Sequence, residues 1–352
     1  MKTSFKKGKC FAFRHSTALI LFAVLVFFEI ANRVMNARGY VTMENVSNIL
    51  NQAMFLAVVG LAQFIVILTT GINLAIGSVM VLTAITAGSL LSEASTVSFI
   101  VPVLIMLVFS LMVGFGMGGL VAKVGLPSFI VTFAVMYIFR GTAWLIMGKN
   151  VLYRVNSTIA FWSTGRLFTI CGFTVTMPML IVTVLLCIFH FVLKKTSFGR
   201  QLYFTGTNPV ASEFSGVRSK KILVLAYGMS GLLCGIAVIL YTGRLNAVEP
   251  AMYSTIHFEA IAVALVGGAS FAGGIGDVKN TLLGAIIIQF IKGGMNSLRI
   301  ASEWQNLVLG ALIIISVIIN QSLQNKRDVL EDEIRQDNNT KGGRKNEQKQ
   351  LA

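Results

Sequence analysis

Between Ala53 and Ser78 the chain reads AMFLAVVGLAQFIVILTTGINLAIGS. An apolar run long enough for a membrane helix stops at Thr69-Thr70-Gly71-Ile72-Asn73 and then restarts. Crossing a bilayer as a helix takes about 20 mostly apolar residues. The wider segments Asn48–Thr69 and Leu74–Leu91 are therefore predicted as two spans separated by a break framed by Gly71 and Gly77. The same criterion predicts Thr17–Asn36 before them. After them it predicts Phe99–Leu120, Pro127–Met147, Thr176–Leu193, Ile222–Gly243, His257–Phe271, Val278–Ser297 and Trp304–Asn320. The expected class is all-α, polytopic, with about ten transmembrane helices.

The eighth of these spans is too short to cross about 30 Å of hydrocarbon as a regular helix. It ends in Gly267-Gly268 and runs on through Ala269-Ser270-Phe271-Ala272-Gly273-Gly274-Ile275-Gly276, which reads as a broken helix with a re-entrant turn. Irregular backbone is tolerated at membrane depth only where protein or a water-filled cavity surrounds it. The two glycine-framed breaks echo each other, as repeats do in many transporters. Both are expected to face a central cavity.

Composition agrees. Of 352 residues 55% are hydrophobic and only 12% charged, and six of the 14 acidic residues fall after Asn320. That excludes an ordinary cytosolic enzyme, a disordered chain and a disulfide-stapled secreted domain. The net charge of +15 is concentrated at the chain ends and in a few loops, so it does not indicate nucleic acid. With both termini cytoplasmic, 20 Lys and Arg lie inside and seven outside, the arrangement favoured by the positive-inside rule. Residues 1–16 are then a basic cytoplasmic start, 17–320 the membrane unit, with a cytoplasmic loop at 194–221, and 321–352 a polar cytoplasmic tail in which one helical stretch is expected after Lys326. The lipid bilayer is the first expected partner.

Catalytic chemistry is poorly supplied. Cys10, Cys171, Cys187 and Cys234 have no CxxC spacing and read as unpaired thiols. Gly114, Gly116 and Gly119 satisfy GxGxxG inside an apolar span, with no preceding strand. Close helix packing through Gly114 and Gly118 is the expected use. No Walker A sequence is present, so if ATP drives the protein another chain binds it. His15, His190 and His257 are isolated, with Glu259 near His257 as a capping or loop pair. No catalytic residue, metal site or cofactor is expected. Arg140 and Lys292 fall within spans, and Arg140 is expected to snorkel or to meet backbone carbonyls at a helix break before Gly141.

The most informative loop is Lys194–Lys221. Asn208 can cap a helix with Pro209 at its first position, and Gly216 can stop it with a positive φ. Val210, Phe214 and Val217 follow at i, i+4, i+7 and are expected to share one apolar face, with Glu213 and Ser215 at its rim. Such a helix can lie on its own bundle or act as a peg in a groove on a partner.

Four stretches in this order and spacing resemble one family. They are Gly71-Ile72-Asn73-Leu74-Ala75-Ile76-Gly77-Ser78; Leu126-Pro127-Ser128-Phe129-Ile130-Val131-Thr132 with Tyr137-Ile138-Phe139-Arg140-Gly141; Thr196-Ser197-Phe198-Gly199-Arg200 leading to Gly206-Thr207-Asn208-Pro209 and Ser215-Gly216-Val217; and Glu259-Ala260-Ile261-Ala262 through Gly267-Gly268-Ala269-Ser270, Gly273-Gly274-Ile275-Gly276 and Thr281-Leu282-Leu283-Gly284. From about Asn45 to Asn320 the chain resembles the permease subunits of carbohydrate-uptake ABC transporters, the ribose/xylose/galactose permease family. The resemblance implies a ten-helix pore half in the inner membrane. A second permease subunit would pair with it, cytoplasmic ABC ATPase subunits would bind inside, and a periplasmic substrate-binding protein would deliver a monosaccharide outside. It also implies that Asn208–Val217 couples to the ATPase.

The polar groups near the breaks, Gln63, Thr70, Asn73, Ser78, Gly268 and Ser270, are the candidate translocation path for a neutral, hydroxyl-rich solute. The chain departs from the family in Asn73-Leu74-Ala75, where Asp followed by Leu-Ser is usual, in Lys279-Asn280-Thr281 and in Lys292-Gly293-Gly294. The alternatives are a permease for branched-chain amino acids or nucleosides, or an ion-coupled carrier working alone. The lack of midplane carboxylates weighs against the carrier.

Overall fold

The computed structural model describes residues 16–36, 39–88, 90, 98–153, 157–170, 172–319 and 321. Most of the basic start and nearly all of the tail, with its expected helical stretch, lie outside the described residues, as do Cys10 and Cys171. The helices are α1 (Ser16–Asn36), α2 (Met43–Ile67), α3 (Ile76–Gly88), α4 (Ile100–Gly119), α5 (Ser128–Met147), α6 (Ser157–Thr164), α7 (Met177–Lys195), α8 (Ser197–Thr207), α9 (Pro209–Phe214), α10 (Ser219–Leu245), α11 (Ile256–Val266), α12 (Val278–Ser297) and α13 (Ser302–Ile319). Each of the ten predicted spans holds a helix. Among the described residues six helices are long and apolar enough, by length and composition, to cross a membrane: α2, α4 with its extension to Val124, α5, α7, α10 and α13. The chain is a mostly helical, polytopic membrane protein.

The core lies along α2, whose residues from Ala53 to Leu68 are buried almost without exception. A helix that is apolar all round must be enclosed by others rather than by one neighbour, and α10, α11 and α12 supply that enclosure. α4 and α10 pack with their backbones in close approach. A side chain at Gly114 or Gly118 would overlap the α10 backbone near Tyr227, and one at Gly231 would overlap Ser110 and Gly114 of α4. Glycine at these positions lets the two backbones touch, the use expected for Gly114 and Gly118.

Three expectations change. The second of the two spans read from the opening stretch is shorter than Leu74–Leu91, because the break persists to Ala75 and α3 has only 13 residues. The loop 194–221 holds a second helix, α8, ahead of the one expected at Pro209, α9. The all-α reading gains two small antiparallel ribbons: β1 (Leu152–Tyr153) pairs with β4 (Ala247–Val248), and β2 (Arg166–Ile170) pairs with β3 (Phe173–Thr176). Both ribbons lie at the end of the bundle away from α8 and α9. There Ser47 Oγ donates to the Thr174 carbonyl at 2.7 Å, tying α2 to the β2–β3 hairpin.

Candidate functional site

The cap predicted at Asn208 is present. Its Oδ1 accepts from the Ala211 N–H at 2.9 Å, Pro209 opens α9, and Gly216 adopts φ 81. The predicted three-residue face is not. The helix ends at Phe214, and the turn at Gly216 redirects the chain so that Val217 packs toward the core. The exposed apolar face is Val210 and Phe214 alone, 64% and 89% exposed, with Glu213 and Ser215 beside them. The opposite side is anchored where buried Ser212 and Ser219 hydroxyls meet at 2.7 Å. α9 is thus a short peg held at its base, with its largest side chain in the open.

Behind the peg, α8 reaches both helix breaks. A Cβ on Gly206 would overlap the Leu68 carbonyl oxygen and sit 2.8 Å from the Gly274 nitrogen. The Gly274 N–H donates to that same Leu68 carbonyl at 3.0 Å. Gly273 and Gly274 have φ of 81 and 65, left-handed backbone that glycine adopts without strain. Tyr203 Oη donates to the Gly276 carbonyl at 2.9 Å. Lys194 Nζ, at the end of α7, donates to Asp277 Oδ2 at 2.6 Å, and His190 Nδ1 lies 3.3 Å from Asp277 Oδ1. Burial pushes the Asp277 carboxyl up, but Lys194 and the Lys279 N–H outweigh it and hold the group below the carboxylate range. A cavity of ≈ 570 Å³ opens here, lined by Lys194, Arg200, Tyr203, Phe204, Gly276 and Asp277.

The breaks are braced from inside. Thr70 has φ 62, uncommon for a residue with a branched side chain. Asn73 Nδ2 donates to Ser230 Oγ of α10 at 3.1 Å, and Asn73 Oδ1 accepts from the Ala75 N–H at 3.0 Å. With its amide oriented to satisfy both groups, Gln63 donates to the Asn73 carbonyl at 3.0 Å and accepts from the Asn73 N–H at 3.3 Å. From α5, Ser128 Oγ accepts from the Ile72 N–H and Thr132 Oγ1 donates to the Ile72 carbonyl. Ser78 Oγ closes the start of α3 on the Ala75 carbonyl, and Ser270 Oγ accepts from the Ala272 N–H. Gln63, Asn73, Ser78 and Ser270 are therefore buried in the subunit's own packing, while Thr70 and Gly268 are exposed at the two breaks.

Sequence reading missed the main charge pair. Lys292 Nζ donates to Glu259 Oε2 at 2.8 Å, joining α12 to α11, while His257 sits against the Phe258 ring. The two charges are 33 residues apart, so no spacing rule exposes them. Next to them Gln289 Nε2 donates to Gln52 Oε1 at 2.7 Å. Arg140 lies in an unbroken α5 and reaches the Met252 carbonyl at 3.5 Å. A carbonyl partner was expected, but the expected helix break before Gly141 is absent. Among the described residues no group of His, Cys, Asp and Glu could hold a metal ion.

Comparison with known proteins follows the same outline. The family described as Branched-chain amino acid transport system / permease component matches residues 45–317. The Ribose import permease protein of Haemophilus influenzae is 31% identical over 292 residues, 82% of this chain and 88% of that protein. The Fructose import permease protein of Rhizobium meliloti is 32% identical, covering 88% and 87%. The D-allose transport system permease protein of Escherichia coli is 27% identical, covering 88% and 91%. No solved structure matches the chain.

Proposed function

This chain belongs to the permease-component family that matches it from residue 45 to residue 317, and on that premise we propose that it forms half of the pore of an ATP-driven monosaccharide importer in the bacterial inner membrane. The observation that carries the reading is the continuous backbone contact from the exposed peg through Gly206 to both helix breaks. A push on α9 reaches the C-terminal end of α2 and the turn before α12 at once. The chain makes and breaks no covalent bonds and binds no cofactor itself. A separate ATPase docks on Val210 and Phe214, and a second permease subunit completes the pore. A binding protein delivers the sugar at the ribbon end.

Both termini lie in the cytoplasm, and the ten helices together form the membrane domain. α3 and α11 complete their crossings with the irregular segments at the breaks, where Thr70 and Gly268 belong to the moving wall. The sugar assignment rests on relatives named for ribose, fructose and allose, against a family description naming branched-chain amino acids.

The test is proteoliposome uptake. The chain with its ATPase and binding protein should accumulate ribose, xylose or a related monosaccharide only with ATP, and the chain alone should accumulate nothing. Leucine uptake in place of sugar would move the assignment to the amino-acid alternative. Accumulation by the single chain on an ion gradient would overturn the reading.

A further inference from the structure

α5 carries an exposed surface that the bundle does not use, and its two flanks differ in chemistry. Phe129, Phe133, Tyr137, Arg140 and Trp144 recur every three or four residues. At 3.6 residues per turn they fall within an arc of about 80° and run for about 22 Å along the helix. The four aromatic rings are 53%, 40%, 63% and 44% exposed. The Phe129 and Phe133 rings stack at 5.6 Å, and Phe133 meets Tyr137 edge-on at 4.9 Å. The adjoining arc holds Ile130, Ile138 and Leu145, aliphatic and on the whole more open.

Phenylalanine is as much at home in lipid as isoleucine or leucine, so Arg140 is what sets the aromatic flank apart. Arginine within a membrane span faces a bundle interior or a water-filled cavity rather than hydrocarbon. Arg140 is near mid-helix, and among the described residues its one hydrogen bond is the 3.5 Å one to the Met252 carbonyl and its buried Nε has no partner. Among the described residues no carboxylate pairs with it. The aromatic residues also do not form a belt. Belts gather Trp and Tyr at the two interfaces, whereas these rings occupy successive turns through the depth of the span.

Resting on the importer reading, we infer that the Phe129–Trp144 flank of α5 is a wall of the sugar path, with its rings passing the sugar's apolar C–H face from turn to turn while Arg140 donates to its hydroxyls. A sugar ring has the two surfaces this stripe offers, an apolar face and a polar rim. The aliphatic flank turns to lipid.

The test uses the complete transporter with its ATPase and binding protein in proteoliposomes. Phe133→Leu and Tyr137→Leu keep the flank apolar and remove the rings. Each should lower maximal ribose or xylose uptake about three- to ten-fold, the range of a single aromatic contact, with assembly and basal ATPase unchanged. Leu145→Ala should leave uptake unchanged. In a background lacking the native cysteines, Tyr137→Cys should react with a water-soluble thiol reagent and be protected by transported sugar, and Leu145→Cys should not react. Three results would overturn the inference: wild-type uptake in both ring variants, Tyr137→Cys reacting only with a lipid-soluble reagent, or Phe133→Cys forming disulfide dimers that exclude the reagent. If the wild-type complex moves no sugar, the importer reading itself fails, and the labelling arm still reports whether the stripe faces water.

Discussion

Replacing Gly206 with alanine tests the mechanical link directly. The new methyl would overlap the Leu68 carbonyl oxygen and come within 2.8 Å of the Gly274 nitrogen, both backbone atoms without a rotamer to yield. Regaining van der Waals separation requires α8 to withdraw by at least about 1 Å. That motion strains the Gly274 N–H to Leu68 carbonyl bond and the Tyr203 Oη to Gly276 carbonyl bond. Overpacking a tight contact costs about 1–3 kcal/mol, and each of the two weakened hydrogen bonds adds up to about 1 kcal/mol, so the loss is about 1–5 kcal/mol. The assay pairs thermal unfolding of the purified chain with ATPase turnover of the complex, with and without sugar-loaded binding protein. Gly206→Ala should unfold at lower temperature and lose the stimulated turnover while keeping the basal rate. Gly216→Ala, with positive φ but nothing within 4 Å, is the control. It costs about 1 kcal/mol of backbone strain and crowds nothing. A Gly206→Ala protein with wild-type melting and full stimulation would refute the tight junction and the transmission built on it.

Phe214→Ala should weaken ATPase pull-down ten- to hundred-fold, since burying one large apolar side chain stabilises by roughly 1.5–3 kcal/mol, whereas Glu213→Ala should change it little. Lys292→Met should destabilise by about 3–5 kcal/mol by leaving Glu259 a buried, unpaired charge. The double variant Lys292→Met/Glu259→Leu should recover most of that in thermal melting. The depressed Asp277 pKa means that its pairing with Lys194 stabilises the fold above the ordinary carboxyl value of 3.8 and is lost as pH falls through the lower folded value. An acid-unfolding profile of Asp277→Asn should therefore lose stability at neutral pH and converge on wild type in acid.

The six long apolar helices were legible because twenty apolar residues in a row have few alternatives, and the Asn208-Pro209 start of α9 because a cap is a local event. The end of α9 was less so. A heptad-like spacing from Val210 to Val217 assumes that the helix continues, and the positive φ at Gly216 removes Val217 from the face. α8 was read as loop because only some of its residues are apolar, and its need for Gly206 comes from Leu68 and Gly274, far away in sequence. The polar residues around the first break were picked out as path-lining because they interrupt an apolar run. Their partners lie across helices, as with Asn73 and Ser230, 157 residues apart, and such pairs leave no periodic trace.

α1 and the turn after it complete their polar contacts with a helix made much later. Tyr40 Oη donates to the Phe290 carbonyl across 250 residues, and Ser297 Oγ donates to Asn32 Oδ1 across 265. At ordinary translation rates the ribosome needs roughly 10–50 s to make that intervening chain. During that wait α1 has been made and α12 has not. Its polar groups have local cover in the meantime: Arg33 pairs with Glu29, Glu29 Oε2 accepts from the Tyr40 and Val41 N–H groups, and Asn32 Nδ2 donates to the Phe28 carbonyl. α1 therefore has local partners for its charges from the start, and packing α12 against it, with the Ser297 to Asn32 bond, is a late assembly step that joins the first helix to the ninth predicted span.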